Sequence, residues 1–213
     1  MEMEIKYLRR LDERVDGNGP GNDEHPMRKV TRQVAFEQEG WTPQRAAKVT
    51  ELFDEMAETW QDKDFESRVL PVLDAIKRGG ISRGTIGLEL GCGTGAYSTL
   101  LASHFDCLLC ADISFEMLTR VVAPKVCRLR TDGALLPVSS GSVHGLFCIN
   151  TLLFPREVER ILSPDGFMAW ISTSGDQTPI YLSPGEVYEA LGGKFTAISS
   201  EAGPGTWSVF RRR

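Results

Sequence analysis

The sequence predicts an α/β fold, an open and mostly parallel sheet with helices on both faces. Three observations lead there. From Thr85 onward, short apolar runs alternate with helix-patterned stretches. The runs are almost continuously hydrophobic, as strands covered on both faces must be. A glycine-rich loop joins the first run to the helix after it, the usual ligand-facing junction of such folds.

The elements follow in order. Ile5, Leu8, Leu11 and Val15 recur at helical spacing among charges, which predicts a short helix over residues 1–14. Residues 16–26 read Asp-Gly-Asn-Gly-Pro-Gly-Asn-Asp-Glu-His-Pro, a composition that holds no regular element and predicts a linker. Residues 1–40 are thus expected to form an extension, flexible in part. Thr42 is a good helix cap and Pro43 suits the first helical position. Ala46, Val49, Leu52, Phe53 and Met56 continue as one apolar stripe. A second helix spans about Phe65 to Lys77 and stops at Gly79-Gly80. Residues 41–80 are therefore expected to be a helical cap ahead of a core over 81–213.

Within that core the expected strands are Ile86–Leu90, Cys107–Ala111, Val126–Leu129, Leu146–Ile149 and Phe167–Ile171. The intervening helices are Ala96–His104, Phe115–Val122 and Arg156–Leu162, with right-handed crossovers. Ser183-Pro184 opens a further helix that ends at Gly192-Gly193. Phe195–Ser199 and Trp207–Phe210, separated by Gly203-Pro204-Gly205, then predict a hairpin at a sheet edge.

Composition narrows the function classes. A chain of 213 residues, 41% of them hydrophobic, can bury a substantial core. Its net charge of -5 argues against a partner held mainly through phosphates. No apolar run approaches the ~20 residues that span a bilayer, and Met1 to Asp16 lacks the apolar stretch of a secretory signal. A cytoplasmic location is expected. Cys107 and Cys110 stand three apart on a predicted strand and so face opposite ways. They and Cys92, Cys127 and Cys148 are expected to be buried thiols in a reducing compartment.

The chemistry concentrates at three successive strand ends. The loop Glu89-Leu-Gly-Cys-Gly-Thr-Gly95 lets backbone approach a ligand with no Cβ in the way. Its G-x-G-x-G spacing differs from the dinucleotide pattern G-x-G-x-x-G, and a triphosphate-binding lysine loop is absent. Glu89 would be poor company for a pyrophosphate and suits a ligand with a cationic amine. Asp112, after the next strand, can accept from both hydroxyls of a ribose, because Ser114 is free to cap the helix. Asp132 after the third strand can accept from an adenine amine, while the Gly133 N–H donates to a ring nitrogen.

These residues resemble the core of class I S-adenosylmethionine (SAM)-dependent methyltransferases over about 85–172. The likeness is greatest to the small-molecule, type 11 branch that includes ubiquinone and menaquinone biosynthesis enzymes. The first motif is Glu89-Leu-Gly-Cys-Gly-Thr-Gly95, the ribose motif Asp112-Ile-Ser-Phe-Glu-Met-Leu118, the adenine motif Asp132-Gly-Ala-Leu-Leu-Pro137, and the turn before the fifth strand Leu162-Ser-Pro-Asp-Gly166. The resemblance implies a Rossmann-like sheet of seven strands in order 3-2-1-4-5-7-6, the last antiparallel. It implies SAM as cofactor. Glu89 would orient the methionyl ammonium through water. Gly91, Cys92, Gly93 and Gly95 would form the loop, with Gly91 and Gly93 presenting backbone to the methionyl and ribose parts. Asp112 would hold the ribose, Ile113 would pack on adenine, and Asp132 and Gly133 would read its edge. Asn150 would offer backbone near the methionyl end and face the substrate. Phe53-Asp-Glu-Met-Ala-Glu-Thr-Trp60 resembles the helix before the core, which makes Trp60 the aromatic expected to close over cofactor.

The expected reaction is methyl transfer to a small-molecule O-, N- or C-acceptor by a monomer or homodimer, with no nucleic-acid partner and no metal. The alternative is a SAM-binding protein with a non-methylating or regulatory role. Asn150 and Tyr97 are the only catalytic candidates, and Tyr97 also suits helix packing. His25, His104 and His144 are assigned to the linker, a helix end and a strand start. Trp41 and Tyr181 could line a substrate pocket or serve in core or surface. Asn150-Thr-Leu-Leu-Phe154 lacks the [DN]-P-P-[YF] signature of base and glutamine methylation. Three departures from the family pattern stand out. His144-Gly145 replaces the usual F-D, and the segments after the fourth and fifth strands are short. A lid would then have to come mostly from residues 1–65.

Overall fold

The computed structural model describes residues 4–12, 25–60 and 65–213. Its elements are β1 (Ile5–Tyr7), α1 (Pro26–Phe36), α2 (Pro43–Met56), α3 (Phe65–Arg68), α4 (Leu70–Arg78), β2 (Gly84–Leu90), α5 (Ser98–Ala102), β3 (Phe105–Asp112), α6 (Phe115–Thr119) and β4 (Val126–Arg130). They continue with β5 (Val143–Ile149), α7 (Pro155–Ile161), β6 (Leu162–Ser172), α8 (Pro184–Ala190), β7 (Phe195–Ala202) and β8 (Gly205–Arg212).

One sheet runs β4-β3-β2-β5-β6-β8-β7-β1. Strands β2 to β6 are parallel, and β8 lies antiparallel between β6 and β7. The seven strands of the core follow the order 3-2-1-4-5-7-6, and the sheet has eight strands rather than seven because β1 pairs in parallel with β7. The Ile5–Tyr7 stretch is thus an edge strand and not a helix. Its helical spacing was misleading: three residues, two of them exposed, gain their order from the backbone of β7.

Alternating residues of each strand feed two cores. Leu146 and Cys148 of β5 pack with Val158 and Ile161 of α7, with Val187 of α8 and with Leu191 just after it. Phe147 and Ile149 face the opposite way, among Val72 and Ala75 of α4, Leu101 of α5 and Trp207 of β8. Trp207 is fully buried, and its indole donates to Asp74 at 2.8 Å, so its one polar group is satisfied.

Local signals explain several helix starts. The Thr42 hydroxyl accepts from the Arg45 N–H at 3.2 Å ahead of Pro43. Ser183 and Glu186 form a reciprocal capping box on α8. The single helix expected over Phe65–Lys77 is split at Val69, because Pro71 has no N–H to carry the ladder across the junction. The expected linker is corrected at its end: His25 caps α1, its Nδ1 accepting from the Met27 N–H at 3.1 Å, and Pro26 opens the helix. The rest of that stretch, and Val15, lie outside the described residues. The thiols also depart from expectation. Cys92, Cys110 and Cys148 are buried, but Cys127 is exposed and its sulfur lies 3.8 Å from that of Cys107 on the neighbouring strand.

Strand order reverses direction between β2 and β5: β3 and β4 extend to one side, β5 and β6 to the other. That switch point opens a crevice at the carboxyl ends of β2 to β5, where open α/β sheets receive ligands.

Candidate cofactor and active site

A cavity of about 470 Å³ occupies this crevice. Its floor is the loop after β2. Gly91 has φ +68°, and a Cβ there would lie 2.3 Å from the Thr151 hydroxyl, so only glycine fits. Gly93 has φ +54° and nothing within 4 Å of its Cβ position, leaving its backbone bare toward the cavity. Cys92 lines the wall between them. Gly95 (φ +81°) turns instead toward Val121 and Ser98, behind the loop and off the cavity wall.

Two carboxylates border that floor. Glu89 is 2% exposed, and the Ser98 hydroxyl donates to it at 2.5 Å. Burial pushes its carboxyl up to about 8, against the lowering effect of Ser98 and with smaller upward contributions from Cys110 and Asp112. Asp112 accepts from the Gly93 N–H at 2.8 Å and the Ser114 N–H at 2.9 Å. Its pKa is raised by burial, opposed by those N–H donors. Asp112 therefore braces the loop as well as facing the cavity. Ser114 caps α6 by accepting from the Met117 N–H at 3.0 Å, and Ile113 beside it lies on the wall.

Asp132 departs from the sequence expectation. Its carboxylate accepts from the Trp41 indole N–H at 2.8 and 3.0 Å, and from the Ala134 N–H at 2.8 Å. Thr131, Gly133 and Trp41 line the cavity, whereas Asp132 does not. Trp41 also meets Phe154 edge to face at 5.5 Å. Asn150 lies on the wall with φ +49°, but its side chain is turned to Thr173: Nδ2 donates to the Thr173 hydroxyl at 2.8 Å, and Oδ1 accepts from the Thr173 N–H at 2.9 Å. Its amide is thereby spent on structure rather than turned to the cavity. Tyr97 is buried against Phe65, the rings stacked at 5.7 Å.

The outer wall comes from α1, α2 and the segment after β6. Val49, Leu52, Phe53 and Met56 of α2 face the cavity, with Trp60 set edge-on to Phe53 at 5.8 Å. His25, Met27, Arg68 and Ile180 complete it and were not among the expected site residues. His25 hid in a stretch whose glycines and prolines suggested no structure, and Met27 directly follows it. Asp54 was also missed: it accepts from the Ser114 hydroxyl and, at 3.1 Å, from the Glu116 N–H, fastening α2 to the start of α6. Tyr181 is not on the wall; the buried Arg28 guanidinium lies 4.8 Å from its ring centroid. His104 closes the turn after α5, and His144 packs on Phe167, both away from the cavity.

Residues 88–170 match the family model described as a methyltransferase domain. That stretch of the chain is similar to a methyltransferase domain. The sequence matches none of the curated proteins it was compared with. Solved structures share this fold at low identity. A SAM-dependent methyltransferase from Aquifex aeolicus is 18% identical with a TM-score of 0.59, covering 80% of this chain and 97% of its own. The DhpI–S-adenosylhomocysteine (SAH) complex is 18% identical with a TM-score of 0.63, covering 76% and 94%. A chain from the Haloferax volcanii complex of the Trm112 methyltransferase activator with a candidate methyltransferase is 17% identical with a TM-score of 0.62, covering 75% and 97%.

Proposed function

We propose that this protein transfers a methyl group from SAM to a small-molecule acceptor held in the same cavity. The observation that carries the reading is the bare backbone at Gly93 flanked by two buried carboxylates, Glu89 and Asp112. This fits a ligand that needs close backbone approach, a ribose partner and a partner for a cationic amine. The SAH seen in the DhpI complex agrees with it. When bound, SAM supplies an electrophilic methyl group on a sulfonium. The chain's own work is positioning, which lowers the barrier by holding donor and acceptor together. Asp112 and Glu89 hold the donor's two polar ends. The apolar faces of α2 and Trp60 exclude water.

Among the described residues, Glu89 and Asp112 are the only carboxylates on the wall. His25 accepts the Met27 N–H on Nδ1, so that nitrogen is committed to the helix cap. Such a wall suits an acceptor whose lone pair is already available, with no early proton removal. The apolar lid favours a small, largely apolar acceptor over a nucleic acid. Among the described residues no helix is long and apolar enough to cross a membrane. The five free cysteines favour a reducing, cytoplasmic setting.

The test is calorimetric titration with SAM, SAH and NAD, followed by detection of SAH formed with a panel of small acceptors. Micromolar SAM binding, on the order of -8 kcal/mol, with no response to NAD and turnover of an acceptor is the expected result. SAM binding without turnover of any acceptor would favour a regulatory role on the same fold.

A further inference from the structure

The helix over the cavity is held by contacts at its two ends rather than by burial. None of the residues of α2 is buried, although four of its apolar side chains face the cavity. At the carboxyl end Asp54 grips the start of α6, the segment that follows the ribose-side residue Asp112. At the amino end Trp41, two residues before Pro43, grips Asp132 at the adenine side. Each end is thus tied to one of the two loops expected to hold the adenosine half of the cofactor.

The Trp41 contact creates a conflict. The indole N–H is donor-only and sits astride both carboxylate oxygens of Asp132. The exocyclic amine of adenine would need those same oxygens, and Trp41 lines the cavity whereas Asp132 does not. We propose that Trp41 is a latch on the cofactor site: adenine and the indole compete for Asp132, and cofactor binding frees the amino end of α2 while Asp54 keeps the other end fixed. The proposal rests on the reading of the cavity as a SAM site. If it is right, the latch weakens binding by holding part of the population in a state that does not accept the cofactor.

Trp41→Phe keeps an aromatic ring beside Phe154 and removes the donor. We expect SAH to bind this variant about three- to tenfold more tightly than wild type, the size of a lost hydrogen bond to a charged group after partial compensation. In wild type, SAH should also speed hydrogen exchange of the Arg45 to Ala47 amides at the start of α2. This second measurement needs no variant and stands if Trp41→Phe folds poorly. Unchanged or weaker SAH binding by a folded variant, or slower exchange at those amides, overturns the latch and leaves the SAM site standing. Failure of both proteins to bind SAH overturns the SAM site and the latch together.

Discussion

Replacing Glu89 with Gln tests the electrostatics of the site directly. The carboxyl is buried and held near 8, against an ordinary value of 4.5. The sign follows from proton counts. Below about pH 4.5 both folded and unfolded chains hold the proton, and Glu89 contributes no pH dependence. Between 4.5 and 8 the folded chain keeps a proton that the unfolded chain releases, so stability falls as pH rises. Above 8 the full penalty of a buried charge applies. The gap corresponds to roughly 5 kcal/mol at ~1.4 kcal/mol per unit, an upper figure that local relaxation will reduce. Gln keeps an acceptor for the Ser98 hydroxyl and removes the ionisation. Thermal unfolding should therefore give Glu89→Gln and wild type similar stability near pH 5, and a variant more stable by several degrees near pH 8.5. SAH affinity should move the other way. A ligand ammonium paired with ionised Glu89 implies about one proton released on binding near pH 6.5, below the range where the ligand's α-amino group titrates at ~7.7–8.0. That proton appears as a dependence of the calorimetric enthalpy on buffer, and it should vanish in the variant. Equal stability of the two proteins at both pH values would show that Glu89 ionises normally and refute the reasoning.

Three further substitutions probe the loops. Gly93→Ala has room in the protein but none beside a ligand; it should fold, at about 1–2 kcal/mol for the left-handed conformation, and lose SAH binding more than tenfold by calorimetry. Asp112→Ala should weaken SAM binding more than tenfold and also cost about 1–3 kcal/mol in denaturant unfolding, because the Gly93 and Ser114 N–H groups lose their acceptor. Unchanged SAM affinity would remove Asp112 from the site. Asn150→Ala should cost about 2–3 kcal/mol through the lost Thr173 bonds and the positive φ. Asn150→Gly should recover about 1 kcal/mol of that in the same unfolding assay by relieving the backbone alone.

The parts of this protein that could be read in advance are those written in short-range patterns. Apolar runs between Ile86 and Ile171 announce buried parallel strands, and Thr42-Pro43 and Ser183-Pro184 announce helix starts. The glycines of the loop after β2 declare a backbone that only they adopt. Failures came where local pattern and tertiary partner disagree. Ile5 to Tyr7 carry a helix-like spacing, yet the unpaired edge of β7 takes them as a strand. His25 ends a stretch rich in glycine and proline, yet its imidazole caps a helix.

The site divides in the same way. Glu89 and Asp112 follow from their places at strand ends, because strand and loop are adjacent in sequence and the crevice rule fixes where strand ends point. The Trp41–Asp132 contact spans 91 residues, Asp54–Ser114 spans 60 and Arg68–Thr173 spans 105. Nothing local in the chain encodes such pairs. They arise when packed elements bring donors and acceptors together, and the same packing sets the buried environment that pushes the Glu89 carboxyl up. Residue type and periodicity thus settle which backbone forms and which groups can act, while the packed fold selects their partners and their charge, since both depend on neighbours distant in sequence.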